Sequence, residues 1–212
     1  MKANKLIDHT LLKPQAQMKD IVALCQEAKQ HDFKSVCINP CWIPVAKNEL
    51  KGSDVLVCTV IGFPLGAMST NAKVLEAKDA VDAGADEGDM VLNIGQLLGG
   101  NLEYVTNEIR LIKEAIGDKT LKVILETCLL TDEQIESACK CCMEAKADFV
   151  KTSTGFNASG ANVHVVEVMK RTVGDVCEVK AAGGVRTKED LDAMVKAGAT
   201  RIGTSNGCAL VD

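Results

Sequence analysis

The chain has 212 residues, of which 47% are hydrophobic and only 3% aromatic, and its formal net charge is −5 at pH 7. This acidic balance argues against a nucleic-acid-binding protein, and no apolar run reaches the ~20 residues of a membrane span. The even spread of hydrophobic residues predicts one domain over residues 1–212 with a core of branched aliphatic side chains. Since the first residues lack the apolar segment of a signal peptide, we expect a cytoplasmic protein.

Eight short apolar runs alternate with amphipathic segments. The runs expected to form β-strands are residues 5–10, 35–39, 55–62, 89–94, 121–126, 149–154, 178–182 and 200–204. Between them apolar residues recur at helical spacing, and this alternation is typical of parallel strands joined by helices. The pattern predicts a (β/α)8 barrel. An open doubly wound sheet is the alternative, but no Gly-rich nucleotide fingerprint follows the first strand.

Three five-residue segments, 82–86, 144–148 and 196–200, share one pattern where a helix should end and a strand begin. The central position is Gly84 or Gly198 in two copies, as expected for a left-handed closing residue, and Lys146 in the third. We expect the turn at Lys146 to be strained or of a different type.

Ten cysteines raise the question of metal or disulfide chemistry. Cys139 and Cys142 form a C-x-x-C pair, but together with Ile135 they follow the i, i+4, i+7 spacing of a core-facing helix stripe. His9, His31 and His164 show no metal-binding spacing. We therefore predict that most cysteines are buried and that they are reduced, and we predict neither a metal nor a cofactor.

Two lysines lie in apolar runs that end in glycine, on the sixth and seventh predicted strands. Lys151 begins the segment Lys-Thr-Ser-Thr-Gly, and Lys180 begins Lys-Ala-Ala-Gly-Gly. Burial and mutual repulsion disfavour the ammonium form, and a neutral amine can attack a carbonyl carbon. The pair indicates Schiff-base chemistry, although each lysine taken alone is equally consistent with a surface position past a strand end.

Other polar residues interrupt or follow the apolar runs. Because a (β/α)8 barrel carries its chemistry at the carboxyl ends of the strands, Asp8, Asp89 and Glu126 should lie near the two lysines. Asp89, which opens the fourth predicted strand, is the candidate for relaying protons, and Asp8 and Glu126 are candidates for orienting other groups.

Gly-rich turns follow the last three predicted strands. Glycines allow backbone N–H groups to approach an oxyanion closely, and the loops after strands seven and eight are the recurrent phosphate site of this barrel class. The seventh strand leads to a helix whose expected N-cap is Thr187, with Asp190 as its capping-box partner. The predicted phosphate- and substrate-binding residues in these turns are Gly155, Gly183, Gly184, Gly203, Ser205 and Asn206.

Over essentially its whole length the chain resembles the deoxyribose-phosphate aldolases, a family of class I aldolases. The segments that carry the resemblance are D-H-T-L-L at 8–12, V-C-I-N-P at 36–40, V-C-T-V-I-G-F-P-L-G at 57–66, D-M-V at 89–91, V-K-T-S-T-G-F at 150–156 and V-K-A-A-G-G-V-R-T at 179–187. The resemblance implies a Schiff base on Lys151, with Lys180 as its partner and Asp89 in the proton relay. It also implies substrate contacts from Thr152, Asp8 and Cys37.

The activity implied by the resemblance is reversible cleavage of 2-deoxy-D-ribose 5-phosphate to acetaldehyde and D-glyceraldehyde 3-phosphate. The expected partner is thus a phosphorylated sugar, and a homodimer or homotetramer is expected because barrel enzymes often pair. Gly88, Lys146 and Asn206 depart from the family pattern. Another lysine-dependent phosphosugar aldolase, or a phosphosugar-binding module without catalysis, remains an alternative.

Overall fold

The computed structural model describes residues 2–211, so Met1 and Asp212 of the predicted domain lie outside the described residues. The strands are β1 (Ile7–Leu11), β2 (Ser35–Ile38), β3 (Leu56–Ile61), β4 (Glu87–Val91), β5 (Thr120–Ile124), β6 (Phe149–Lys151), β7 (Glu178–Ala182) and β8 (Arg201–Thr204). The α-helices are α1 (Met18–Gln30), α2 (Ile43–Glu49), α3 (Thr70–Asp82), α4 (Ile94–Leu98), α5 (Leu102–Ile116), α6 (Asp132–Glu144), α7 (Val163–Val173), α8 (Lys188–Lys196) and α9 (Gly207–Val211).

The eight strands form one closed parallel barrel in which each strand pairs with its neighbours in sequence and β1 pairs with β8. The predicted (β/α)8 barrel is thereby confirmed. An open doubly wound sheet would leave its two edge strands unpaired on one side, whereas here β1 and β8 pair with each other. The register places Lys151 beside Lys180 and Lys180 beside Arg201. Since side chains alternate across a strand, this register sends all three charged groups to the same side, into the barrel.

The helices cover the barrel with apolar stripes. In α1 the buried residues are Ile21, Leu24, Cys25 and Ala28, which follow the expected helical spacing. In α6, Cys139 and Cys142 are buried on the same stripe as Ile135. None of the described cysteines forms a disulfide. No helix within residues 2–211 combines the length and apolarity needed to cross a bilayer.

The three predicted helix–strand turns share one geometry. In each, the third residue of the segment donates its N–H to a helix carbonyl three residues back, as Gly84 does to Val81, Lys146 to Met143 and Gly198 to Val195. Lys146 adopts this turn with φ 60°, in the left-handed region that costs a residue with a Cβ about 1–2 kcal/mol. The turn at Lys146 is therefore strained but unchanged in type.

The fourth strand begins earlier than the apolar pattern indicated. It starts at Glu87, so Asp89 is its third residue and not its first. Two carboxylates fit on one strand because Glu87 and Asp89 both face the barrel interior, where cations from other strands contact them. Gly88 between them faces Ile61, whose Cδ1 would lie 2.9 Å from an added Cβ.

Candidate active site

Lys151 and Lys180 lie inside the barrel and contact the same carboxylate. Their side chains are nearly or fully buried, and the Nζ atom of each lies 2.7 Å from Oδ2 of Asp89. Strand register brings this about, since the two lysines are paired residues of β6 and β7 and Asp89 points inward from β4. The structure thus brings the three predicted chemical residues together.

The other oxygen of Asp89 is also occupied. Its Oδ1 accepts hydrogen bonds from Nζ of Lys122 at 2.8 Å and from the Cys58 thiol at 3.2 Å. Burial raises the pKa of Cys58 well above its usual value, so this thiol is a neutral donor. Asp89 therefore has no oxygen left without a donor, and its position is fixed by groups from β3, β5, β6 and β7.

A second set of ion pairs connects two further carboxylates and an arginine to the lysines around Asp89. Asp8 Oδ2 accepts from Lys180 Nζ at 2.5 Å, and Asp8 Oδ1 accepts from Arg201 Nη1 at 2.8 Å. Glu87 Oε2 lies 2.7 Å from Lys122 Nζ and 2.8 Å from Arg201 Nη1. We refer to the resulting buried group as the barrel charge cluster; it consists of Asp8, Glu87, Asp89, Lys122, Lys151, Lys180 and Arg201.

The cluster shifts the proton affinities of its members in opposite directions. Burial alone would raise the pKa of Asp89, but the ammonium groups of Lys122, Lys151 and Lys180 hold it well below its usual range. Burial alone would lower the pKa of Lys180, but the carboxylates of Asp8 and Asp89 outweigh it and raise that pKa. Lys180 is therefore a firmly charged neighbour of Lys151.

Glu87, Lys122 and Arg201 were not foreseen from the sequence. Lys122 carries the same signal as Lys151, a charge between apolar residues of a strand, and this signal could have identified it. Lys122 lies only two residues after the start of β5, however, and the sequence does not reveal that Asp89 is its register partner. These three residues could be assigned to the site only from the pairing of the strands around the barrel.

A cavity of about 280 Å³ opens above the cluster at the carboxyl ends of the strands. Lys151 contributes to its lining, together with the basic residues Lys13 and Arg186 at the rim. The predicted phosphate-binding residues Gly155, Gly183, Gly184, Gly203, Ser205 and Asn206 all line the cavity. Lys13 is an additional basic residue that the sequence reasoning did not single out.

Three of the residues expected to contact substrate lie elsewhere. Thr152, Asp8 and Cys37 are fully buried and are absent from the cavity lining. The Thr152 hydroxyl bonds to the backbone of Ala182 at 3.1 Å, and Asp8 is engaged by Lys180 and Arg201. None of the three side chains lines the cavity, but Thr152 supports it indirectly through its bond to Ala182, which does line it.

The loops around the cavity are held by specific contacts. Glu126 accepts hydrogen bonds from Thr154, both through the backbone N–H at 3.1 Å and through the hydroxyl, and from Nδ2 of Asn157 at 3.0 Å. Ala161 N donates to the carbonyls of Ala182 and Gly183 at 3.0 and 2.9 Å. The loop after β6 is thereby held by Glu126, in the segment that follows β5, at one side and by the Gly183 turn at the other.

The α8 helix has the predicted cap. Thr187 is the N-cap, its side chain accepts from Asp190 N, and Asp190 completes the capping box. Asp190 Oδ2 also accepts from the backbone N–H groups of Arg186 and Thr187 at 2.9 and 3.0 Å. These two N–H groups are satisfied within the protein, so an oxyanion in the cavity must use the glycine turns and the side chains at the rim.

The barrel interior is poorly suited to a metal ion. Ligand atoms of Cys37, Cys58 and Asp89 lie within 4.8 Å of one another. A cation there would compete with the three ammonium groups already bound to Asp89 and would meet their repulsion. This site is therefore organised around amines.

A family model described as DeoC/LacD family aldolase matches residues 2–210 of the chain. The chain is 57% identical over 211 residues to the deoxyribose-phosphate aldolase of Clostridium botulinum strain Langeland, with full coverage of both chains. It is 54% identical to that of Streptococcus gordonii, with 100% of this chain and 96% of the relative covered.

Solved structures of aldolases have the same fold as this chain. The aldolase QR15 superimposes with a TM-score of 0.95 at 38% identity, with 99% of this chain and 94% of that chain covered. The deoxyribose-phosphate aldolase of Aeropyrum pernix, described as a tetramer, superimposes with a TM-score of 0.90 at 33% identity, with coverages of 99% and 89%.

Proposed function

Because the chain belongs to the DeoC/LacD family of aldolases, we propose that it cleaves 2-deoxy-D-ribose 5-phosphate reversibly to acetaldehyde and D-glyceraldehyde 3-phosphate through a Schiff base on Lys151. The chain shares more than half of its residues with named deoxyribose-phosphate aldolases over its whole length. The observation that carries the assignment of Lys151 is its position, since its side chain both lines the cavity and contacts Asp89.

The balance of charges within the barrel charge cluster supports Lys151 as the nucleophile. The cluster contains four basic and three acidic side chains, so one positive charge is in excess when all are ionised. Lys122, Lys180 and Arg201 each contact at least two carboxylates, whereas Lys151 contacts only Asp89 among the acidic residues that the structure describes. Loss of the proton from Lys151 therefore removes the excess charge and breaks the fewest ion pairs.

The neutral amine then attacks C1 of the open-chain sugar. A carbon–nitrogen bond forms, the carbonyl oxygen takes up a proton, and loss of water leaves an iminium ion. A base removes the proton of the C3 hydroxyl, the C2–C3 bonding electrons move into the iminium, and glyceraldehyde 3-phosphate departs. The remaining enamine is uncharged, so cleavage again relieves the excess positive charge of the cluster.

Protonation of the enamine at C2 and hydrolysis of the new iminium release acetaldehyde and regenerate the amine. Asp89 Oδ2 lies 2.7 Å from both Lys151 Nζ and Lys180 Nζ, so protons can move among the three groups with little motion. Lys180 keeps its positive charge through its contact with Asp8 and serves as the fixed cation beside the reacting nitrogen.

The glycine-rich rim of the cavity fits the 5-phosphate. Gly183 and Gly184 have φ values of 78° and 85°, which only glycine adopts readily, and their lack of side chains allows an oxyanion to approach the backbone. Lys13 and Arg186 supply positive charge at the same rim. Holding the phosphate there fixes the sugar with C1 toward Lys151 and so converts binding energy into orientation.

Trapping with borohydride tests the role of Lys151. Reduction in the presence of acetaldehyde should attach an ethyl group to Lys151, located by peptide mass mapping. Lys151→Arg should give no adduct and lose more than about a thousand-fold in turnover, because a guanidinium is not nucleophilic. Exchange of the exposed Lys140 in Lys140→Arg is the matched control and should change neither result.

The same assay separates the two alternatives. A phosphosugar-binding module would bind 2-deoxyribose 5-phosphate without forming an adduct or releasing acetaldehyde. A different lysine-dependent aldolase would require a ketone donor such as dihydroxyacetone phosphate and reject acetaldehyde. Either result would refute the proposed activity.

A homodimer or homotetramer in the cytoplasm is the state we expect for the enzyme. The tetramer described for the Aeropyrum pernix relative supports an even assembly. Light scattering coupled to size-exclusion chromatography measures the assembly directly, and a monomer at enzymatic concentrations would contradict this expectation.

A further inference from the structure

Three side chains with metal-binding atoms meet between the outer face of β1 and the helices that cover it, away from the cavity. They are His9 on β1, Glu27 on α1 and Cys208 on α9, and one ligand atom from each lies within 4.8 Å of those of the others. The alternation of side chains along β1 directs Asp8 to the barrel charge cluster and His9 to the opposite side. This group is therefore separate from the proposed catalytic residues.

The His9 ring is held in place but incompletely hydrogen bonded. Its side chain is only 2% exposed and its Nε2 lies 2.7 Å from Glu27 Oε2, whereas Nδ1 has no hydrogen-bond partner in the described part of the chain. The ring of Phe33 packs against it with centroids 5.2 Å apart. The imidazole is therefore held in one orientation, with Nε2 toward the Glu27 carboxylate and Nδ1 without a partner among the described residues.

The beginning of α9 is fitted closely to this ring. A Cβ on Gly207 would lie 3.0 Å from His9 Nδ1 and 3.1 Å from Phe33 Cε2, so a glycine is needed for α9 to approach β1 this closely. The next residue is Cys208, which this approach brings to the histidine. Close packing thus brings together residues that are almost 200 positions apart in the chain.

We propose that His9, Glu27 and Cys208 bind a divalent transition-metal ion, with Zn²⁺ as the best chemical match. A thiolate, an imidazole and a carboxylate are ligands that Zn²⁺ accepts, and three protein ligands leave a fourth tetrahedral position for water. The Glu27 side chain is half exposed and Cys208 is partly exposed, which gives the ion an entry route and gives Glu27 room to adjust.

The consequence of binding is structural. The ion would connect α1 and α9 to β1 and so hold α9 against the barrel. Binding releases the proton of the Cys208 thiol, and the affinity should therefore increase with pH. The aldolase chemistry does not need the ion, since Lys151 and its partners lie on the other side of β1.

The test uses the full-length protein, first treated with a chelator and then titrated with Zn²⁺ or Co²⁺. We expect one ion per chain, a thiolate-to-cobalt absorption band, and a rise in Tm with Zn²⁺ because the ion binds only the folded state. Cys208→Ser should abolish the band and the rise in Tm and weaken Zn²⁺ binding by about 100-fold or more. Glu27→Gln, at a half-exposed position, should weaken binding without removing the band.

Cys41→Ser is the matched control, because Cys41 is an exposed cysteine outside the group and should not affect metal binding. The turnover of metal-free Cys208→Ser should equal that of the parent protein, which shows that this variant folds. The proposal is overturned if the parent protein binds no stoichiometric ion, or if Cys208→Ser binds Zn²⁺ as tightly as Cys41→Ser.

Discussion

At the scale of single residues, the number of carboxylates around each amine distinguishes the proposed nucleophile, Lys151, from its neighbours. Lys180 lies between Asp8 and Asp89, and Lys122 contacts Glu87 and Asp89, whereas Lys151 has only Asp89 and borders the cavity. Buried amines with two carboxylate neighbours remain charged because loss of the proton would leave an uncompensated negative charge. The chemistry follows from this asymmetry in neighbours, since the amino acid is the same in all three cases.

Lys180→Met tests the influence of the neighbouring cation. Removing the charge beside Lys151 leaves the cluster without excess positive charge, so the amine should release its proton less readily. We expect the acidic limb of the kcat/KM profile to move to higher pH by about one unit or more. Circular dichroism must first show that the variant is folded, because Asp8 loses a partner.

Lys122→Met is the control for this prediction. It removes the same charge from the same cluster, but Lys122 bonds to Oδ1 of Asp89 and not to the oxygen shared by Lys151 and Lys180. Its shift should be smaller than that of Lys180→Met. Equal shifts would mean that the total charge matters and the position of Lys180 does not.

Position 160 requires glycine because the Gly183 backbone leaves no space for a side chain. An added Cβ would lie 2.2 Å from the Gly183 carbonyl oxygen, so Gly160→Ala must push the Gly183 turn away from its position at the cavity rim. We expect an increase in KM for 2-deoxyribose 5-phosphate of about ten-fold or more, since the phosphate is misplaced. The borohydride adduct with acetaldehyde, which has no phosphate, should form normally; its loss would point to a wider disruption.

At the scale of elements, the three helix–strand turns have the same hydrogen-bonding pattern although their central residues differ. Gly84, Lys146 and Gly198 occupy the same hydrogen-bonded position, and Lys146 does so with a left-handed backbone. Two residues after Lys146, the Asp148 side chain accepts from Leu121 N at 2.8 Å, and Asp86, two residues after Gly84, does the same for Val57 N at 2.9 Å. These contacts fix where each strand begins and explain why the turn keeps its type despite the strain.

Lys146→Gly should therefore stabilise the protein. Relief of the left-handed strain outweighs the greater flexibility of glycine in the unfolded chain, and we expect the free energy of unfolding to rise by about 0.5–1 kcal/mol in urea titrations. Lys140→Gly, at an exposed position inside α6, is the matched control and should lower it by about 1 kcal/mol. A loss of stability in Lys146→Gly would show that the Lys146 side chain makes a contribution larger than the strain.

At the scale of the whole molecule, the buried carboxylates make the stability of the fold depend on pH. The pKa values of Asp8 and Asp89 are lowered by the surrounding cations, against the effect of burial. A carboxylate with a lowered pKa stabilises the folded state fully above its ordinary value of 3.8, and this contribution is lost as the pH falls below that value. The cluster thus links the stability of the fold to the ionisation of the residues proposed to be catalytic.

We expect the free energy of unfolding to fall steeply as the pH decreases below about 4, measured by urea titration at a series of pH values. In Asp89→Asn this acid dependence should be shallower, because one of the carboxylates responsible is gone. Asp118→Asn, at a side chain that is 92% exposed, should leave the dependence unchanged. An Asp89→Asn curve parallel to that of the parent protein would separate the cluster from acid stability.

Local sequence patterns were enough to predict the barrel, the pair of lysines and the glycine turns of the cavity. These follow from local information: the alternation of strand and helix patterns, charges within apolar runs, and glycines directly after strands. The start of β4 was not determined in this way, because Glu87 and Asp89 are polar residues and look like a turn until cations from other strands are placed beside them.

Which charged side chains meet depends on strand register and barrel closure. Lys122 and Arg201 became part of the site because register and closure place their side chains beside Asp89, Asp8 and Glu87, whereas Thr152 and Cys37 proved to be buried and absent from the cavity lining. The association of His9 with Cys208 likewise depends on the packing of α9 against β1. The physical reason is that contacts between distant segments depend on how strands pair around the barrel, and no local pattern encodes that pairing.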